Sequence, residues 1–160
     1  MSFKETSLNI SGLLKKEFVL GHLKAKSKQE ALAELAGVFE KGKIKCDSGA
    51  MLRVLLEREN LGSTAIGDGI AIPHGKLAGL DEILVAFGRS REGIAFEALD
   101  GKPVHLFFLL MAPQNSASQH LKVLAKISRM LKDGVFRKKL LEAKMQDDLV
   151  RVITEKDNEC

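Results

Sequence analysis

The chain has 160 residues, 45% of them apolar, with a net charge of +4 and a pI near 9.1. A chain of this size and composition supports one compact domain that buries roughly two thirds of the surface its unfolded form exposes. The longest apolar stretch, Val104 to Ala112, is interrupted by His105 and falls far short of the roughly 20 residues a membrane helix needs. No membrane insertion is expected. The opening Met1-Ser2-Phe3-Lys4-Glu5 lacks the apolar run of a secretory signal, so the expected location is cytoplasmic. Cys46 and Cys160 have no metal-ligand or redox spacing. Basic residues are mixed with acids along the chain, apart from Arg137, Lys138, Lys139 and Lys144, which read as a solvated helix face. With no Trp or Tyr, and Phe confined mostly to apolar runs, the stacking platform that single-stranded nucleic acid requires is missing, and no nucleic-acid partner is expected.

In chain order, Ser27 and Glu30 form a capping box ahead of Ala31, Leu32, Leu35, Val38 and Phe39. This spacing predicts an amphipathic helix that ends at Gly42. A second helix is predicted from Asp47 or Ser48 to Asn60–Gly62, with Met51, Leu52, Leu55 and Leu56 inward and Arg58 in its last turn. Gly62 to Gly75 reads as loop and short strand. Ile83–Phe87 and Val104–Met111 are apolar on both faces and read as interior strands, with a shorter strand at Gly93–Phe96. After Pro113 a polar stretch leads into a helix with Leu121, Leu124, Ala125, Ser128 and Leu131 along one stripe, closed by Gly134, with His120 in its opening turn. Two further helices are predicted, at Val135–Ala143 and from Asp147 or Asp148 to Thr154. There is no repeat, low-complexity segment or linker, so one domain over 1–160 is expected, its core at about 8–153.

Several chemistries are excluded by pattern. There is no G-x-x-x-x-G-K-[S/T] loop, and the proline after Gly67-Asp68-Gly69-Ile70-Ala71-Ile72 opposes the helix of a dinucleotide fingerprint. No H-E-x-x-H, paired-cysteine or G-x-S-x-G motif is present. No cofactor and no metal are therefore expected. His74 stands out because Pro73 fixes the backbone on one side and Gly75 frees it on the other. An unperturbed imidazole has a pKa near 6.5, so about three quarters of it is neutral at pH 7 and able to attack phosphorus. On local spacing alone, a turn histidine with a structural hydrogen bond outweighs that reading. Likewise Arg58 can simply complement a helix dipole, and His120 can bond the preceding loop. His105, inside an apolar strand, reads as a satisfied core histidine, and His22 has no motif.

The run Ser63-Thr64-Ala65-Ile66-Gly67-Asp68-Gly69-Ile70-Ala71-Ile72-Pro73-His74-Gly75-Lys76 resembles the active-site signature of the fructose, mannitol and nitrogen-regulatory type of enzyme IIA of the bacterial phosphotransferase system. The segments Ser27–Leu32 and His120-Leu121-Lys122-Val123-Leu124-Ala125 extend the resemblance. Ala65 stands where many nitrogen-type relatives have glycine. The resemblance implies a single α/β domain, a mixed β-sheet flanked by helices on both faces. It implies that His74 is phosphorylated, that His120 hydrogen-bonds the phosphoryl group, and that Arg58 stabilises its charge. The implied donor is the phosphohistidine of an HPr-type carrier or its nitrogen-branch counterpart. The implied acceptor is a cysteine on an enzyme IIB, or the target is a regulated kinase, transporter or transcription regulator. The chain carries no IIB-like or membrane segment, which tilts the expectation toward nitrogen regulation, with sugar uptake as the alternative.

Overall fold

The computed structural model describes residues 9–42 and 44–160, so the reading of Met1–Glu5 lies outside the described residues. The apolar run Val104–Ala112 organises everything else. It forms the central strand of a six-stranded sheet, β6 (Val104–Pro113), and its residues are buried apart from His105 and Pro113 at its two ends. On one side β6 pairs antiparallel with β5 (Leu84–Ile94), which pairs parallel with a two-residue strand, β1 (Val19–Leu20). On the other side it pairs parallel with β3 (Ile70–Ala71) and β4 (His74–Leu77), and β3 pairs antiparallel with β2 (Ala65–Gly67). The sheet is therefore mixed.

β3 and β4 are one strand interrupted. Ala71 lies opposite Phe107 and His74 opposite Leu110, an unbroken register. The break falls at Ile72-Pro73, where the Ile72 N–H turns to the Thr64 carbonyl at 3.1 Å and Pro73 has no N–H to give. Pro73 still accepts from the Leu110 N–H at 2.9 Å, which keeps the chain against β6. His74 is the first residue after the break.

Helices cover both faces. α1 (Ile10–Leu13) precedes a 3-10 turn at Lys16–Phe18. α2 (Lys28–Lys41) has Ser27 as its cap: Ser27 Oγ accepts from the Glu30 N–H at 3.2 Å while Glu30 reaches back to the Lys26 N–H at 2.9 Å. α3 (Ser48–Asn60) is capped by Asp47, which accepts from Gly49 and Ala50. These two helices pack on each other and against β5 and β4. α4 (Ala117–Leu131), α5 (Gly134–Glu142) and α6 (Gln146–Glu159) form the other layer, joined by α1 against α6. Edge-on phenylalanine pairs, Phe18–Phe39 at 4.9 Å and Phe87–Phe108 at 5.0 Å, tie the core together.

The structure differs from the sequence reading in several places. Gly93–Phe96 is not a separate strand: Gly93 and Ile94 are the tail of β5, beyond a bulge between Arg89 and Ile94. Gly134 does not close the helix of His120 but opens α5, because Asp133 accepts from the Val135 N–H and caps it. α6 continues past Thr154 to Glu159, held there by buried Asp157, whose carboxylate pairs with Lys126 at 2.6 Å and accepts from the Ser11 N–H. The buried stripe of α4 is His120, Val123, Ile127, Met130 and Leu131, and Leu121 faces solvent at 63% exposure. Apolar residues occur on two adjacent stripes of that helix, and burial of His120 selects the one in line with it.

Candidate functional site

The site lies at the end of the sheet where β6 runs toward Pro113. His74, half-buried, starts β4 beside Leu110. Its Nδ1 is 2.8 Å from the Ile72 carbonyl oxygen. A carbonyl only accepts, so Nδ1 carries the proton and Nε2 keeps its lone pair. Burial lowers the His74 pKa and the Arg58 charge lowers it further, while the Ile72 carbonyl and the Glu59 charge oppose that shift. The neutral, nucleophilic form is thus favoured below the ordinary imidazole range.

Gly75 plays a different part from backbone freedom. A Cβ there would fall 2.7 Å from Val54 Cγ1, so glycine is what lets α3 press against β4. That close packing brings the end of α3 to the histidine. Arg58, in the last turn of α3, anchors one nitrogen, Nη1, on the Gly62 carbonyl at 2.9 Å. On the opposite side the first turn of α4 presents His120. Its ring stands edge-on to that of His74, with centroids 5.6 Å apart. His120 is 5% exposed, and its Nδ1 is buried without a hydrogen-bond partner among the described residues. Burial and then the neighbouring His74 and Lys76 lower its pKa. Ser116, the cap of α4, spends its hydroxyl on the Pro113 carbonyl at 2.7 Å, so no side chain caps the helix's leading N–H groups.

Two histidines and one arginine, distant in sequence, therefore meet where a helix N-terminus points. His105 does not join them. It sits at the other end of β6, opposite Gly93 and Ser90, with its Nδ1–H on the Ser90 carbonyl at 2.9 Å. His22 is exposed and equally remote in the sheet, next to β1. Lys138, Lys139 and Lys144 are solvent-exposed, as read, but Arg137 is half-buried and donates from Nη1 to the Leu131 carbonyl at 2.8 Å, and Lys144 lies beyond the end of α5.

Sequence reasoning missed Glu59. It is 7% exposed and continues the Met51–Leu55 stripe of α3 into the core. Its carboxylate accepts from both the Thr64 N–H, at 3.1 Å, and the Thr64 hydroxyl, and pairs with Lys28 Nζ at 2.9 Å. Thr64 in turn holds the Ile72 N–H. Ile72, whose carbonyl fixes the His74 tautomer, is thus tied through Thr64 to the ion pair of buried Glu59 with half-buried Lys28. A glutamate four residues beyond a core leucine was the available signal.

The fold and the residues it brings together fit the enzyme IIA class that the resemblance implies, with His74 at a strand break and the His120 ring 5.6 Å away in the first turn of α4. Residues 12–156 match the family model for the phosphoenolpyruvate-dependent sugar phosphotransferase system, EIIA 2, and the chain belongs to that family. It is 47% identical over 133 residues to the nitrogen regulatory protein of Bradyrhizobium diazoefficiens, covering 82% of this chain and 85% of that one. It is 37% identical over 150 residues to the fructose-specific EIIABC component of Bacillus subtilis, covering 94% of this chain but only 24% of that much longer protein. The crystal structure of the nitrogen regulatory protein IIA-Ntr from Neisseria meningitidis superposes with a TM-score of 0.84 at 32% identity, covering 91% of this chain and 99% of that one. Among the described residues no helix is long and apolar enough to cross a membrane.

Proposed function

We propose that this chain is a cytoplasmic phosphocarrier of the nitrogen-regulatory branch that accepts a phosphoryl group on Nε2 of His74 from the phosphohistidine of an HPr-type carrier. The observation that carries the reading is the Nδ1–H of His74 on the Ile72 carbonyl, which leaves Nε2 the attacking atom. The P–N bond to the donor's imidazole breaks as the bond to Nε2 forms, and the donor ring leaves with the electron pair. The phosphorylated ring keeps its Nδ1 proton on Ile72, so the positive charge it gains is met by a carbonyl dipole. Transfer of this kind passes through a loose transition state with charge spread over three oxygens, so catalysis is positioning and charge stabilisation. Arg58 supplies a planar guanidinium with donors beyond the one held by Gly62. His120 and the uncapped N–H groups of α4 supply donors on the other side. No metal is needed to hold the dianion.

The test is transfer of labelled phosphate from phosphoenolpyruvate in the presence of the general carriers. An acid-labile label on the wild type, lost in His74→Ala, is the expected outcome; acid-stable label on a serine overturns the reading. The similarity to the fructose-specific component over 94% of this chain favours one second reading, a sugar-uptake IIA that passes phosphate to a cysteine of an enzyme IIB. Pull-downs with unmodified and phosphorylated protein separate the two. A regulatory protein retains different partners in its two states, whereas an uptake component discharges onto a IIB.

A further inference from the structure

We propose that the far end of the sheet carries a second anion site, built on Arg89, Arg91 and His105, that takes a small polyanion bearing phosphate or carboxylate groups. It is separate from the His74 site. Arg89 pairs with Leu106 and His74 with Leu110 on β6, four residues or about 13 Å apart along the strand.

Arg89 is 2% exposed, and among the described residues it has no carboxylate partner. Its Nε donates to the Gly21 carbonyl at 3.0 Å, and Nη1 to Leu140 at 2.9 Å and to Ala143. The Nη1 bonds cap the C-terminal end of α5, and with the Nε bond they engage three of the guanidinium's five N–H groups. Nη2 has no acceptor among the described residues. The carbonyls at the C-terminal end of α5 compensate much of this buried charge, and the spare Nη2 donors are what an anion would complete.

The space for that anion is present. Arg89, Ser90, Arg91, His105 and Leu141 line a cavity of about 280 Å³, with no acid among them. Burial and then the exposed Arg91 nearby lower the Arg89 pKa, so two like charges border the same cavity. His105 is locked by its Nδ1–H on Ser90. Its Nε2 has no hydrogen-bond partner among the described residues. At the bulge between Arg89 and Ile94, Gly93, at φ +89°, packs its backbone against the His105 ring, where a Cβ would fall 2.9 Å from it, and so holds the ring in place. Ser90 and Arg91 also border an adjoining cavity of about 300 Å³, lined by His22, Lys24 and Lys26, with Glu92 its one acid. Volumes at the small end of ligand pockets suit a compact metabolite rather than a nucleotide.

The test is amide NMR of the full chain, titrated with inorganic phosphate, pyrophosphate and citrate at constant ionic strength set with chloride. Saturable shifts are expected at residues 21–26, 89–93 and 105, resolved from any at the His74 end. Arg91→Ala and His105→Gln should each weaken them about tenfold, the loss of one charge-assisted bond, with the His74 end and the Tm unchanged. Preference for pyrophosphate assigns phosphate as the recognised group, and preference for citrate assigns carboxylate. Shifts confined to the His74 end, linear shifts at all lysines, or indifference to Arg91→Ala overturn the proposal. So does saturation by a hexaglutamate peptide alone, which would make the recess a protein contact. None of these outcomes depends on whether His74 accepts phosphate.

Discussion

His74 and His105 stand on adjacent strands and make the same hydrogen bond. Each donates its Nδ1–H to a main-chain carbonyl, Ile72 at 2.8 Å and Ser90 at 2.9 Å, and each leaves Nε2 open. What differs is the company that Nε2 keeps. Around His74 stand a second histidine ring, the uncapped start of a fifteen-residue helix and an arginine held to a loop carbonyl. Around His105 stand two arginines and a glycine bulge, with no helix start. Fixing a tautomer prepares an imidazole for attack; it takes donors converging on the incoming oxygens to make it a phosphoryl acceptor.

The largest expected effect tests that contrast directly. His74→Ala should abolish phosphoryl acceptance, and His105→Ala should leave it at the wild-type level, both read by acid-labile labelling. Next in size is Arg58→Ala, which removes one charged donor and should slow transfer about a hundredfold with the Tm unchanged, because among the described residues the side chain's hydrogen bond goes to a surface loop. His120 needs a gentler substitution. Its ring is buried, so His120→Ala opens a cavity as well as removing a donor, and His120→Gln is the variant whose transfer rate reports on the donor.

Glu59→Ala breaks the contrast from the structural side. It strands the Thr64 N–H and hydroxyl and takes the buried partner from Lys28, which keeps only exposed Glu97. A loss of about 3 kcal/mol, or roughly 10 °C in Tm, is expected by calorimetry. Because Thr64 holds Ile72, the His74 tautomer should loosen, visible as a broadened Nδ1–H signal. The His105 signal, locked from β5, should not move.

What the sequence made legible follows from how local each cause is. The Ser27 cap, the Asp47 start of α3 and the β6 run are written in neighbouring residues, and so is the proline that splits β3 from β4. β1 was illegible because two residues become a strand only by lying beside Phe87 and Gly88. The stripe of α4 was misjudged because Leu121 and Leu124 are as apolar as Val123 and Ile127, and only the packing of His120 decides between them. At the site, the signature flagged His74, a matched segment flagged His120, and Arg58 came only as what the family resemblance implied. The His74 tautomer, the closeness of Gly75 to Val54 and the Glu59–Thr64 clamp depend on side chains meeting across elements, which no spacing along the chain encodes.

The smallest expected effect concerns pH, and its sign can be worked out for two neighbours of the same ring. On the proposed mechanism only neutral His74 attacks, and burial holds its pKa down, so acceptance should persist below the ordinary imidazole value and fall only as the lowered pKa is crossed. Arg58 contributes to that lowering, so removing its positive charge in Arg58→Ala favours the protonated ring and moves the titration to higher pH. Glu59 opposes the lowering, so Glu59→Gln removes a negative charge and moves the titration to lower pH. Following the His74 Cε1 proton by NMR reads both shifts without requiring turnover. Two displacements in the same direction would mean that loosened packing, rather than the charges of these two side chains, sets the protonation of His74.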